Sequence, residues 1–172
     1  VTGSDNIAIG CNSLLSINNS SSSANSASSN NISIGSHSLK SMNNPNGTPC
    51  NDNVSIGYNT ASNLYNGKNN VFFGSSVLLN PTSSANYNSS LASNFNTLLG
   101  SKTGYDTNGI TNGYSYSTAI GYYSTVTDNH QVTLGTSAEY VLCPGSNNVT
   151  AESSSTGALL VTGGVGINKS VN

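Results

Sequence analysis

The sequence has no arginine, no tryptophan and only four lysines in 172 residues. Neutralising a nucleic-acid backbone takes clustered Lys or Arg, so an electrostatic nucleic-acid binder is excluded. Charged residues amount to 6 %, against about 25 % in ordinary globular domains, and the net charge is only −2. Disorder of the usual charge-driven kind needs a far larger imbalance. No apolar run approaches about 18 residues, which excludes a membrane-spanning helix. Nowhere do apolar residues recur at helical spacing over three turns, so no helix is expected. The chain begins at Val1 without a signal-like segment and reads as a processed or excised piece of something longer. What is abundant is small and polar: 33 Ser and 29 Asn fill more than a third of the positions.

Within that polar background one motif recurs seven times. Asn6-Ile7-Ala8-Ile9-Gly10 returns as Asn31-Ile32-Ser33-Ile34-Gly35, Asn53-Val54-Ser55-Ile56-Gly57 and Asn70-Val71-Phe72-Phe73-Gly74. Looser copies are Asn96-Thr97-Leu98-Leu99-Gly100, Ser117-Thr118-Ala119-Ile120-Gly121 and Gln131-Val132-Thr133-Leu134-Gly135. The residue three before each Gly is β-branched, and the one just before it is Ile, Leu or Phe. Residues two apart in a strand share a face, so each copy predicts a short strand with an apolar pair on one side. That pair is expected to point inward, with the middle, usually small residue pointing out. The Gly ends the strand where φ is positive or where another backbone passes too close for a Cβ. The leading Asn either turns the chain into the strand or forms a ladder from rung to rung.

Successive motif glycines are 25, 22, 17, 26, 21 and 14 residues apart. Fixed strands joined by loops of varying length fit such intervals. The run from Ser20 to Ser29 has nothing to bury and reads as a mobile loop, and the Asn-Gly pairs at Asn46, Asn66, Asn108 and Asn112 read as turns. Leu, Ile, Val and Phe together are few for a lone domain of this length. Association that covers apolar stripes left open by a thin stack therefore favours an oligomer.

The Asn-Ile-Ser-Ile-Gly rung resembles the head repeat of trimeric autotransporter adhesins and the related repeats of viral and phage fibre proteins. The stretch from Asp128 through Gln131-Val132-Thr133-Leu134-Gly135 to Tyr140-Val141-Leu142-Cys143-Pro144-Gly145 is similar to one that follows such repeats in tail-fibre-like proteins. So is Ser155-Thr156-Gly157-Ala158-Leu159-Leu160-Val161-Thr162-Gly163-Gly164-Val165-Gly166-Ile167. The Asn/Ser-rich filler is like that of large DNA viruses. The resemblance implies a left-handed parallel β-roll with three rolls about one axis, although parallel crossovers in general are right-handed. The bacterial repeat is regular at about 14 residues, and only the last interval here matches it.

Residues able to carry chemistry are sparse. His37 follows a rung at a position filled elsewhere by Asn59 or Ser76, and His130 lies in a turn; both read as surface or turn residues, not bases. The acids Asp5, Asp52, Asp106, Asp128, Glu139 and Glu152 are scattered beside turn residues, with no pair suited to glycoside hydrolysis. Cys11, Cys50 and Cys143 lack metal-site spacing; a Cys11–Cys50 bridge is conceivable. Asp128-Asn129 is far short of a Ca²⁺ site, and Gly163-Gly164-Val165-Gly166 lacks the Lys-Ser/Thr of a phosphate loop. Tyr114, Tyr116, Tyr122 and Tyr123 cluster around one rung, suiting either a seam between copies or a docked sugar or protein. Sequons begin at Asn18, Asn19, Asn31, Asn46, Asn53, Asn88, Asn148 and Asn168.

The expected fold class is all-β, a parallel β-roll or solenoid of stacked short strands in a trimeric fibre. Residues 1–135 form the repeat region and 136–172 a β-rich connector to the next fibre segment. No catalytic, cofactor or metal residues are assigned, and the chain is read as a non-enzyme. The expected role is a structural subunit of a surface fibre on a virion or other extracellular appendage, used in host attachment. Expected partners are two further copies, other segments of the fibre, and a host glycan or protein; neither nucleic acid nor membrane insertion is expected. The alternatives are a bacterial trimeric adhesin head, a polysaccharide-binding or -cleaving tailspike, and a monomeric solenoid with binding loops.

Overall fold

The computed structural model describes residues 3–19, 28–44, 49–65, 67–78, 93–105 and 114–139. The chain divides into two compact units, Val1–Glu139 and Tyr140–Asn172, and the described residues all belong to the first. Each motif is a three-residue strand: β1 (Ile7–Ile9), β3 (Ile32–Ile34), β5 (Val54–Ile56), β7 (Val71–Phe73), β8 (Thr97–Leu99), β10 (Thr118–Ile120) and β12 (Val132–Leu134). They form one parallel seven-stranded sheet in that order, in register from Ile7 opposite Ile32 to Ile120 opposite Leu134. Between them run β2 (Ser16–Asn19), β4 (Ser41–Asn44) and β6 (Asn63–Tyr65), which build a second parallel sheet, and β9 (Gly104–Tyr105) and β11 (Thr125–Val126), which build a third. The described residues contain no helix, and so none able to cross a membrane. The molecule is all-β and parallel-stranded, one rung per motif.

The inside of each rung is narrow, and this corrects one expectation. The middle residue of the triplet points in: Ser33, Ser55, Phe72, Leu98 and Ala119 are fully buried. The outer apolar pair points away from the coil. A three-residue strand offers the interior a single inward side chain, and the space between facing strands suits that one position. The apolar core is completed from the opposite side by Leu14, Leu39, Met42, Leu64, Val77 and Val126. Ala8, the middle residue of β1, is exposed, β1 being an edge strand of the sheet.

The leading Asn resolves into a ladder. Asn31 donates from both its backbone N and its Nδ2 to Asn6 Oδ1, each at 3.0 Å. Asn53 does the same to Asn31, Asn70 to Asn53, and Asn96 to Asn70, all between 2.9 and 3.2 Å. The second Nδ2 proton crosses the interior to a carbonyl: Cys50 O at 2.9 Å from Asn31, Gly67 O at 2.9 Å from Asn53, Ser93 O at 2.7 Å from Asn70. Buried amides are tolerable only when so fully paired. The ladder closes where Ser117 N donates to Asn96 Oδ1. Beside it runs a hydroxyl ladder: Ser13 Oγ donates to Ser33 Oγ at 2.7 Å, Ser38 Oγ to Ser55 Oγ at 2.9 Å, and Ser33 and Ser55 in turn to the carbonyls of Ser38 and Thr60.

At Gly10, Gly35, Gly57, Gly74 and Gly100 both expected reasons hold at once. Gly57 has φ of +136°, and a Cβ there would strike the carbonyl of Gly74, one rung on, with the carbonyl carbon 2.7 Å away. Only a residue without a side chain lets the backbones stack there.

Candidate functional site

The outward face of the seven-stranded sheet is the most conspicuous surface of the molecule. It carries Ile7 and Ile9, Ile32 and Ile34, Val54 and Ile56, Val71 and Phe73, Leu99, Ile120, Val132 and Leu134, interrupted only by Thr97 and Thr118. Phe73 is 50 % exposed, Ile9 57 % and Val132 69 %. At about 4.8 Å per strand the seven rungs make a stripe roughly 34 Å tall. A continuous apolar stripe of this kind is the mark of an interaction surface, whereas isolated exposed apolar residues are ordinary.

Two columns of left-handed residues border the stripe. On the strand-entry side stand Asp5, Asn30, Asp52, Asn69, Phe95, Tyr116 and His130, with φ between +56° and +59°. On the strand-exit side stand Asn12, His37, Asn59, Ser76, Lys102 and Tyr123, with φ between +52° and +59°. Each column is hydrogen-bonded rung to rung through the backbone, Tyr116 N to Asn94 O at 2.9 Å and Tyr123 N to Ser101 O at 3.1 Å being examples. Asp and Asn accept this conformation readily; Phe and Tyr do so at a cost. The aromatic members stack: Phe95 on Tyr116 at 4.9 Å and Tyr116 on His130 at 5.0 Å between centroids, both with planes 8° apart. Across the stripe, Lys102 Nζ sits 5.6 Å from the Tyr123 ring centroid and 5.9 Å from that of Tyr122, and those two rings meet edge to face. Such contacts are cation–π in kind.

The residues singled out from the sequence do not converge on one centre. His37 lies in the exit column; Asn12 Nδ2 is 3.2 Å from its Nε2 and Ser36 Oγ is 2.9 Å from its Nδ1. His130 belongs to the aromatic column on the other border. Asp5 and Asp52 stand two rungs apart with Asn30 between them, and Asn30 Nδ2 donates to Asp52 Oδ1 at 3.1 Å. Asp128 takes the backbone N–H of Asn129 at 2.7 Å. Glu139 accepts from the hydroxyl and the backbone N of Thr136, the latter at 2.6 Å; these bonds favour its carboxylate and hold its pKa below the usual 4.5. The described residues hold no group of three or more His, Cys, Asp or Glu that could bind a metal.

Cys11 carries an exposed free thiol at the corner after β1, so the Cys11–Cys50 bridge is not made. Cys50 instead lies fully buried in the core, its backbone tied to Ser28 and Asn31. The sequons split as well: Asn31 and Asn53 are ladder residues with no exposure, so neither takes a glycan in the folded chain. Several other positions read from the sequence lie outside the described residues: Asp106, Cys143, Glu152, the glycine run from Gly163 to Gly166 and the part of the serine-rich run from Ser20 to Ala27. The Asn-Gly turns, the sequons at Asn46, Asn88, Asn148 and Asn168, and the connector beyond Glu139 lie outside them too.

No family model, curated protein or solved structure matches the chain.

The border columns escaped sequence reading because their residue types change from Asp and Asn to Phe, Tyr and His along the stack. The signal available was positional: each entry-column residue directly precedes the ladder residue, and each exit-column residue is the second after the motif Gly.

Proposed function

We propose that this chain is a structural segment of a trimeric surface fibre, a β-roll whose apolar sheet face packs against the same face of two sister chains. The fibre would stand on a virion or other extracellular appendage and serve attachment to a host. One observation carries the assembly: among the described residues the strand pairs, a tall apolar stripe, face out over all seven rungs, while Ser and Asn occupy much of the interior. A lone chain in water gains nothing from that arrangement. Three copies about an axis along the stack bury all three stripes at once, and cyclic homo-oligomers of this kind are common. The attachment role and the virion setting rest on the resemblance of the rungs to fibre and adhesin head repeats, and the two short ladders inside explain how so apolar-poor a chain forms a stiff rod.

Native mass measurement and sedimentation at low micromolar concentration test this reading. The expected species is a trimer, and Phe73→Asp converts it to monomer with the β-rich circular dichroism retained. A wild-type chain that stays monomeric and folded overturns it.

A further inference from the structure

The corner after each strand of the long sheet carries one more column, the residue directly following the motif Gly. In rungs one to six it is Cys11, Ser36, Tyr58, Ser75, Ser101 and Tyr122. Tyr58 and Tyr122 are the large members, 59 % and 57 % exposed, and stand three rungs or about 14 Å apart. Between them lie Ser75 and Ser101, with Ser76 and Lys102 alongside in the exit column. Two rings with small side chains between them bound a shallow notch. Its floor is tied from rung to rung: Ser76 N donates to Tyr58 O at 2.8 Å and Lys102 N to Ser75 O at 2.9 Å. Ser101 Oγ donates to Ser75 O at 3.2 Å. Each end is braced by a second ring, Tyr58 by His37 at 6.3 Å between centroids and Tyr122 by Tyr123 at 5.4 Å, both edge to face.

The lining defines the ligand. A Tyr ring offers a rigid amphipathic surface at small entropic cost, and serine hydroxyls both donate and accept. A pyranose presents the complement, a CH-bearing face rimmed with hydroxyls. Lys102 supplies the one charge. Its ammonium rests over the Tyr122 and Tyr123 rings and forms no ion pair among the described residues. Asp5, Asp52 and Asp128 lie on the strand-entry side, and Glu139, past rung seven, has its carboxylate engaged by Thr136. One lysine is too little for a nucleic-acid backbone, and a floor of serines lacks the desolvated pocket on which a protein hot spot depends. We infer that the notch from Tyr58 to Tyr122 binds a short acidic oligosaccharide, with the carboxylate of one sugar on Lys102 Nζ and pyranose faces against the tyrosine rings. The inference rests on the proposed attachment role and gives it a site and a ligand class. It is independent of the trimer, because the notch belongs to the corner after the sheet and not to the strand pairs that the trimer buries.

Amide shifts of the isotope-labelled full chain are followed by NMR while sialyllactose, a hyaluronan tetrasaccharide or lactose is added. The first two carry their carboxylate on a sialic acid and a uronic acid respectively and so separate the two sources; lactose is the neutral control. At least one acidic probe is expected to shift Tyr58, Ser75, Ser101, Lys102 and Tyr122 with a dissociation constant of about 1 mM, and lactose to bind more weakly. Lys102→Asn places in the left-handed corner the residue already found at Asn59, and should weaken the acidic probe about fivefold while leaving lactose unchanged. Tyr122→Ser uses the residue that Ser75 and Ser101 place at the same corner, and should weaken every probe about tenfold. The site is overturned if neither acidic probe shifts these residues at about 10 mM, if the shifts fall on another face, or if Lys102→Asn binds the acidic probe like wild type. Native mass on the same samples keeps the readings apart. A trimer that binds no sugar loses this site and leaves attachment to another ligand, a host protein included; a monomer that binds sugar loses the trimer and keeps the site.

Discussion

Rungs two and three differ from rungs four to six in the side chains they hold inside and hardly at all in backbone. Inside, the first pair holds Ser33 and Ser55 and the later three hold Phe72, Leu98 and Ala119, all fully buried. Outside, the early borders are polar apart from Tyr58, and the later ones are aromatic with Lys102 among them. The strand register, the glycine column and the left-handed corners continue through both halves without a break. The path of the chain is therefore set by the motif Gly and the backbone hydrogen bonds between corners, with the ladder amides added from Asn6 to Asn96. The contents of the coil are free to vary provided that hydroxyls find carbonyls or that apolar groups find each other.

The severest way to break that equivalence is to remove what the halves share. Asn53→Leu leaves Gly67 O, Asn70 N and Asn70 Nδ2 without their partner inside the coil. At about 1–3 kcal/mol for each stranded group, the loss is on the order of 5 kcal/mol, enough to unfold a marginal domain; chemical denaturation followed by circular dichroism measures it. Next come the contents. Phe72→Ala is expected to cost about 3–5 kcal/mol through the cavity it leaves, and Ser55→Ala nearer 1–3 kcal/mol, since Ser38 Oγ keeps the Ser55 carbonyl as an acceptor at 3.0 Å. Equal losses would mean that the two halves are not packed by different means.

A smaller effect sharpens the outer half of the comparison. Tyr116→Asn keeps a residue suited to the left-handed corner and removes the central ring of the stack. Single-chain stability should change little; if three chains pack as proposed, the concentration at which the trimer half-dissociates rises about tenfold, the equivalent of 1.4 kcal/mol. Asn30→Ser, on the polar rungs, should leave that concentration within a factor of about two. Smallest of all is the loop at Glu139. Its carboxyl pKa is depressed in the fold, so its contribution is present above the unfolded value and fades as pH falls through the lower, folded one. Thr136→Val removes the hydroxyl donor and should bring the Glu139 pKa back up toward 4.5 in an NMR titration.

All seven long-sheet strands were legible residue for residue, because the β-branched, small, apolar, Gly order has one reading in a chain without helical spacing. The direction of the triplet was not. Alternation divides a strand into two faces without saying which is inside, and the usual rule sends Ile and Leu inward. Here each strand sends a single side chain inward, Ser33 or Ser55 in the early rungs and Phe72 or Leu98 in later ones, and its two neighbours in the triplet are left outside. The second strands were missed for a related reason: Ser41-Met42-Asn43-Asn44 has a single apolar residue, Met42, and gives no periodicity to detect. The Asn position was read with both of its physical options, and the buried, paired amides select the ladder.

Because the same amide clasp joins each storey from Asn6 to Asn96 to the one before, a whole storey there can be added or taken away and the clasp re-forms across the gap. Removing half a storey offsets it. Length in such a stack should thus change by complete turns, with the tether between turns absorbing any spare residues, so that height is inherited in discrete steps while the outer decoration drifts freely.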